Sequence, residues 1–324
     1  MKKLLFLILA LFLAGSFVMA EDIGLSTEVE FGIDQINKPD GNDVYPYIQP
    51  GIEYSKSFLD DALDLYAGLW YEFDFPKFYD SDKGKKVNPQ NLYFDLSLAY
   101  NLKLNSASTL SVIVENENYL DITPVGDSET DPSIAKSFKT ADRMFSIVRP
   151  GLKFNQNFEK MGDLYCQVNL PIAYQTQPSA YDWEGSYFDG DTGLGLDLLL
   201  GFQGEGGFGL AVGGYILLTP KQDDYNGTGL TGLKFVVSYE TGPAYMEIKA
   251  TVPVQDRDLG AAYNYFDVWG KSGVAITPKF KYTFDFGLSA YVYCTFYNIG
   301  VYTDDGTGKK DVYVAPAIGV VYSF

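Results

Sequence analysis

Past residue 20 the hydrophobic pattern has a period of two. In "LGLDLLLGF", Leu194, Leu196, Leu198, Leu200 and Phe202 share one parity, and Gly195, Asp197 and Gly201 share the other. In "AYMEIKATV", Ala244, Met246, Ile248, Ala250 and Val252 oppose Glu247, Lys249 and Thr251. In "LKFVVSYE", Leu233, Phe235, Val237 and Tyr239 oppose Lys234, Ser238 and Glu240. Alternation sustained over eight or more residues specifies β-strands with one apolar and one polar face. About fourteen such segments follow one another, near 24–34, 45–57, 61–74, 91–104, 107–119, 142–157, 162–175, 192–203, 207–218, 230–240, 243–254, 272–284, 286–300 and 311–324. Each has the length a tilted strand needs to cross a bilayer.

The connections alternate in length. "SFLDD", "NSAS", "FEKM", "GEG", "TG" and "DF" are tight joints. The intervening connections, such as "PKFYDSDKGKKVNPQ" and "DITPVGDSETDPSIAKSFKT", are long and polar, with aspartates at 80, 82, 127, 131, 189, 191, 304 and 305. Short turns at one end and long loops at the other predict an all-β fold, a single transmembrane antiparallel barrel over 21–324. About 14 strands are expected, with 12–16 possible, and an even number puts the short turns and both termini on the periplasmic side. A water-soluble double sandwich would also alternate, but it would not produce the short–long rhythm.

Four segments share a frame in which proline precedes phenylalanine by eight residues. They are "QPGIEYSKSF", "RPGLKFNQNF", "TPKFKYTFDF" and the closing "APAIGVVYSF". Proline cannot donate to a sheet ladder. A tilted strand climbs roughly 2.3 Å per residue, so the proline lies about 18 Å above the phenylalanine, toward the outer end of the apolar band. A bulge or loosened pairing is expected there.

Composition narrows the class. Residues 1–20 carry Lys2 and Lys3, then an apolar run from Leu4 to Leu13, then Val18 and Ala20 before an acidic start. This is the pattern of a cleaved secretory signal peptide, so the rest of the chain is exported. No other run is long and apolar enough for a membrane helix. The formal charge is −18, which argues against nucleic acid as a partner. Tyrosine (26) and phenylalanine (23) are abundant, as strands with aromatic belts require. Histidine is absent, so Ser-His-Asp catalysis, His-containing metal sites and imidazole acid–base chemistry are excluded. No enzyme activity, cofactor or metal is expected. "DGDTG" and "DDGTGKKD" read as acidic turns rather than calcium or phosphate sites, and "GGFGLAVGG" follows a tight turn on a strand rather than opening a helix. Cys166 and Cys294 fall on the apolar parity of distant strands and are expected to remain free.

The last strand, with Ile318, Val320, Tyr322 and Phe324 on one parity, resembles the C-terminal signal of bacterial outer-membrane barrel proteins. The resemblance implies recognition by the barrel-assembly machinery, insertion among outer-membrane lipids, and location in the bacterial outer membrane. With strands starting a few residues after the leader, leaving no room for a plug, the chain is similar to monomeric fourteen-stranded porins of the OmpG type. Fatty-acid transporters of the FadL type share the strand number but carry an N-terminal hatch.

If the apolar parity faces lipid, the other parity lines the lumen. That places Glu28, Glu30, Glu53, Asp64, Glu72, Asp95 and Glu115 on strands one to five, and Arg143, Arg149, Lys153, Lys234, Lys249, Lys279 and Lys281 on strand six and strands ten to twelve. Asp197 and Glu247 are the exceptions to this segregation. Two readings follow. Opposed arcs of charge could set a field across a channel, or the charges could pair between neighbouring strands and brace the wall. Fourteen strands about 4.8 Å apart and tilted ~40° enclose a backbone diameter of roughly 28 Å, leaving about 10–15 Å once side chains are in place. A passive channel for small polar solutes or ions is the leading expectation. A specific or hydrophobic-substrate transporter and a non-conducting adhesin barrel remain open beside it.

Overall fold

The computed structural model describes residues 24–38, 41–75, 78–79, 86–87, 90–122, 143–176, 191–218, 229–256, 274–299 and 312–324. The proposed leader at 1–20 and most of the acidic loop residues lie outside them. The barrel strands, in chain order, are β1 (Leu25–Lys38), β2 (Gly41–Phe58), β3 (Leu63–Asp74), β4 (Gln90–Lys103), β5 (Ser108–Asp121) and β6 (Arg143–Phe158), with a separate two-stranded pairing of Phe78–Tyr79 and Lys86–Val87 between β3 and β4. Next come β7 (Gly162–Asn169, resuming at Ile172–Thr176), β8 (Asp191–Gly204), β9 (Phe208–Leu218) and β10 (Gly229–Thr241). The last are β11 (Ala244–Asp256), β12 (Val274–Thr283), β13 (Leu288–Ile299) and β14 (Tyr313–Ser323). Each pairs antiparallel with its sequence neighbour, and β14 pairs with β1, so the sheet closes into a fourteen-stranded barrel. Closure leaves no free edge, and among the described residues there is no helix.

The alternation becomes an outside and an inside. Phe31 and Ile33, Val112 and Val114, Leu198 and Leu200, Leu210 and Val212, Ile248, Val292 and Ile318 project outward as exposed apolar side chains. Polar and small residues alternate with them on the inner face. A barrel with an apolar exterior and charge inside matches a lipid surround, not water. At the short-turn end the outer face becomes aromatic. Phe284 lies 4.9 Å from Tyr282 and 5.5 Å from Phe286, and Tyr322 lies 4.9 Å from Phe324, centroid to centroid. Cys166 on β7 and Cys294 on β13 both face outward on non-adjacent strands and are free thiols.

Two features differ from the expected strand limits. The β1–β2 ladder runs on to Lys38↔Gly41, so a connection expected to be long is mostly strand. Strand seven is interrupted at Leu170–Pro171 and then continues on the same path, pairing Ile172 with Val148.

The four prolines behave as their chemistry demands. Each pairs with one neighbour, in Val29↔Pro50, Val114↔Pro150, Ile248↔Pro278 and Cys294↔Pro316. On the other side the ladder lapses. No β3 partner faces Gln49 or Pro50, and no β13 partner faces Thr277 or Pro278. The β14–β1 ladder stops at Gly32↔Ala317, one residue short of Pro316. Opposite Pro150 lies the interruption in β7, where only the Leu170 N–H reaches the Pro150 carbonyl at 2.9 Å. That contact shows which neighbour Pro150 faces, and the missing N–H faces the same way.

Candidate pore lining

Inner-face position is set by strand parity, and every proposed lining residue whose side chain is described falls on that face. Arg143 opens β6, and its side chain is outside the described residues. Depth along the strand then decides what each one meets.

The carboxylates of β1 to β3 are held by neutral donors. Glu30 accepts hydrogen bonds from the Tyr47 hydroxyl (2.7 Å) and the Tyr293 hydroxyl (2.8 Å) at Oε1, and from Tyr291 (2.6 Å) at Oε2. Glu28 accepts from the Trp70 Nε1–H at 3.0 Å and from the Tyr291 hydroxyl, which it shares with Glu30. Glu53 accepts from Tyr66 (2.9 Å) and Ser26 (3.0 Å). Glu72 accepts from Asn91 (2.7 Å), Tyr93 (3.2 Å) and Gln49 (3.3 Å). Asp64, near the short-turn rim, accepts from Ser57 and Asn101. Phenol, indole and amide donors orient a carboxylate without supplying a counter-charge.

The basic side is built differently. Arg149, opposite Glu115 in register, forms an ion pair with Glu117 at 2.7 Å. Lys234 reaches past Gly213 of β9 to pair with Asp197 on β8. Lys249 pairs with Glu247 at 3.2 Å, and Lys279 faces that same Glu247 in register. The ammonium groups of Lys153, Lys234 and Lys279 also sit 5.0, 5.6 and 4.9 Å from the ring centroids of Tyr165, Tyr215 and Tyr291. Such contacts attract a cation to the ring face and fix its place. Asp95 lies on the inner face of β4, in register with Gly68 and Glu117, and Lys281 lies on β12 in register with Tyr245 and Tyr291.

Charge is thus held in two ways, on different arcs. Charges brace the wall at Arg149–Glu117, Lys234–Asp197 and Lys249–Glu247. Among the described residues, Glu28, Glu30 and Glu53 are held by phenol, indole and hydroxyl donors.

The lining aromatics lean along the wall. A Cβ placed on Gly32 would fall 2.2 Å from the Tyr47 ring, on Gly201 2.1 Å from Tyr165, on Gly232 2.3 Å from Tyr215, and on Gly319 2.2 Å from Tyr291. Each glycine is the direct cross-strand partner of its ring. The rings thus fill the space a side chain would take and point across the sheet. Inward-facing charge keeps access to solvent, with the Glu117 side chain 47% exposed and that of Lys249 60%. The wall encloses a wet space rather than a dry core, in which such groups would be costly.

No family model matches the chain, and no curated protein matches it. Among solved structures it is similar to the toluene transporter TodX of Pseudomonas putida, at 12% identity, covering 94% of this chain and 89% of that one with a TM-score of 0.48. It is similar to the Ralstonia pickettii toluene transporter TbuX, at 9% identity, covering 95% and 90% with a TM-score of 0.42. A triple mutant of the Rhodopseudomonas blastica porin aligns at 11% identity, covering 93% and 99% with a TM-score of 0.36.

Proposed function

We propose that the chain is a bacterial outer-membrane channel through which small polar solutes and ions diffuse passively, with a preference for cations. The observation that carries this reading is the wet, charged inner face, where ionised side chains remain solvent-exposed inside an apolar-coated barrel. A channel for hydrophobic substrates would line its path with apolar side chains. Here the inward positions of β1 to β3 carry Glu28, Glu30, Glu53 and Glu72. The cation preference follows from the unequal treatment of the two arcs. Arg149, Lys234 and Lys249 share their fields with paired acids, whereas Glu28, Glu30 and Glu53 are held by donors that carry no charge. The short turns then face the periplasm, the long connections face outward, and a monomer suffices.

The test is conductance of residues 21–324, refolded and inserted into a planar bilayer. Stable unitary steps that grow with salt, with a reversal potential on the cation side in a salt gradient, are the expected result. Many insertions of folded protein without conductance would overturn the proposal.

The closing strand carries a second expectation. The Phe324 N–H donates to the Leu25 carbonyl at 2.9 Å, and its ring packs edge-on against Tyr322. Phe324→Ser keeps the backbone bond and removes the ring. If the ring is an assembly signal, the amount of barrel reaching the outer membrane in cells falls several-fold, while spontaneous refolding into detergent micelles proceeds nearly as before. Equal losses in both settings would make the ring a stability element only.

A further inference from the structure

The seam between β14 and β1 differs from every other joint in the barrel. All other neighbouring strands are linked by chain, and six of those links are tight turns that fix register. The seam joins the two ends of the sequence, so no turn sets its register. Its ladder has seven pairs, Ser26↔Ser323 to Gly32↔Ala317, against fourteen between β1 and β2 and ten between β13 and β14. A sheet pairing specified only by alternation tolerates a two-residue slip, because that keeps every side chain on its face.

Side chains bridge this seam from both sides. Tyr291 and Tyr293 on β13 reach over β14 to Glu28 and Glu30 on β1. Tyr47 on β2 and Trp70 on β3 bind the same two carboxylates from the opposite direction. The reach of Tyr291 depends on one residue. Its ring lies where a Cβ of Gly319 would be, with Cζ at 2.2 Å and the hydroxyl oxygen at 2.3 Å from that point. The inward positions next to Gly319 on β14 are Ala317 and Val321, and both carry a Cβ. Gly319 therefore gives the ring its way across β14, and it travels with Tyr291 when the β13–β14 pair slips against β1, so a slip of two residues leaves the ring in place but carries its hydroxyl off one of the two glutamates.

We infer that Gly319, Tyr291 and the Glu28–Glu30 pair form a register key that selects the native pairing of the last strand with the first when the barrel closes. Gly319 supplies the passage, since a Cβ there would turn the ring away from β1. The carboxylates supply the attraction, since only the native register brings the Tyr291 hydroxyl to both of them. The key is non-local, its partners being more than 260 positions apart, so it reports closure rather than hairpin formation.

Cysteine trapping across the seam tests this. Val29 and Val320 are direct partners on the outer face, away from the key. In a C166S/C294S background, V29C/V320C reports the native register, and V29C/I318C and V29C/Y322C report two-residue slips. Directly opposed strand positions lie within disulfide reach. Crosslinks are scored in the whole refolding mixture, folded and unfolded. With the key intact, native capture is expected to exceed slipped capture about tenfold, and Tyr291→Ala or Gly319→Ala should bring the two within about twofold of each other. Tyr291→Phe keeps the ring and loses both hydrogen bonds, so it should match Tyr291→Ala. An unchanged capture ratio in Tyr291→Ala and Gly319→Ala would overturn the inference.

Discussion

Replacing Glu53 and Glu72 together by glutamine is expected to lower the cation-over-anion permeability ratio of the reconstituted barrel about threefold. These two carboxylates are chosen because neither belongs to the seam network, and each retains an acceptor oxygen as glutamine. A unit charge at ~6 Å acts on a passing ion with about 0.7 kcal/mol in water, and two would change the entry of a cation about tenfold without screening. At 0.1 M salt the screening length is about 10 Å, comparable with the lumen radius, which reduces the effect to the few-fold range. The same reasoning fixes the salt dependence. At 1 M the screening length is about 3 Å, and the wild-type chain should lose most of its preference. The control is Lys249→Gln. It leaves Glu247, its partner at 3.2 Å, without that counter-charge, so it should raise cation preference, opposite in direction to the double variant. A double variant with unchanged reversal potential would place the ion path away from β2 and β3.

The strands, their number and the two faces were legible because alternation depends only on neighbours in sequence. Each proposed lining residue with a described side chain stands on the inner face for that reason. The lapses at Pro50, Pro150, Pro278 and Pro316 were legible too, since a missing N–H is a property of the residue itself. Cross-strand partners were not. Glu28 and Trp70 are bonded across 42 positions and Tyr291 and Glu30 across 261, and register between distant strands leaves no mark in a period-two pattern. For that reason Tyr47, Trp70, Tyr291 and Tyr293 stand in the sequence as aromatic composition only, not as ligands of the carboxylates. Glu117 shares the parity of Glu115, and nothing in the sequence marks it as the partner of Arg149. Inward glycines at 32, 51, 201, 232 and 319 were visible in sequence, but their meaning depends on which aromatic stands opposite. The interruption at Leu170–Pro171 had one readable sign, Pro171 itself, whose carbonyl accepts from the Gly195 N–H and which lacks a donor on that same side.

Gly51→Ala is expected to destabilise the barrel by about 3 kcal/mol when Trp70 is present and to be neutral or slightly stabilising when it is not. The Trp70 indole occupies the Cβ positions of two glycines at once. Cδ1 would lie 2.0 Å from a Cβ on Gly51, its cross-strand partner, and Cη2 2.0 Å from one on Gly68, two residues back on its own strand. Neither gap can be opened by a small shift, because moving the ring off one glycine drives it toward the other or into the lumen. Displacement would also break the Nε1–H bond to Glu28 at 3.0 Å, a charge-assisted bond whose loss costs about 1.5–3 kcal/mol. In the Trp70→Ala background the clash and the bond are both gone. An alanine at 51 then restores strand propensity, worth roughly 0.5–1 kcal/mol. The measurement is a double-mutant cycle of urea unfolding in lipid vesicles over wild type, Gly51→Ala, Trp70→Ala and the double variant. A coupling energy of about 2 kcal/mol or more, with a change of sign for Gly51→Ala between backgrounds, is the expected outcome. Additive effects would mean that the indole is free to leave the wall, and the lumen would then be narrower by one ring than the geometry shows.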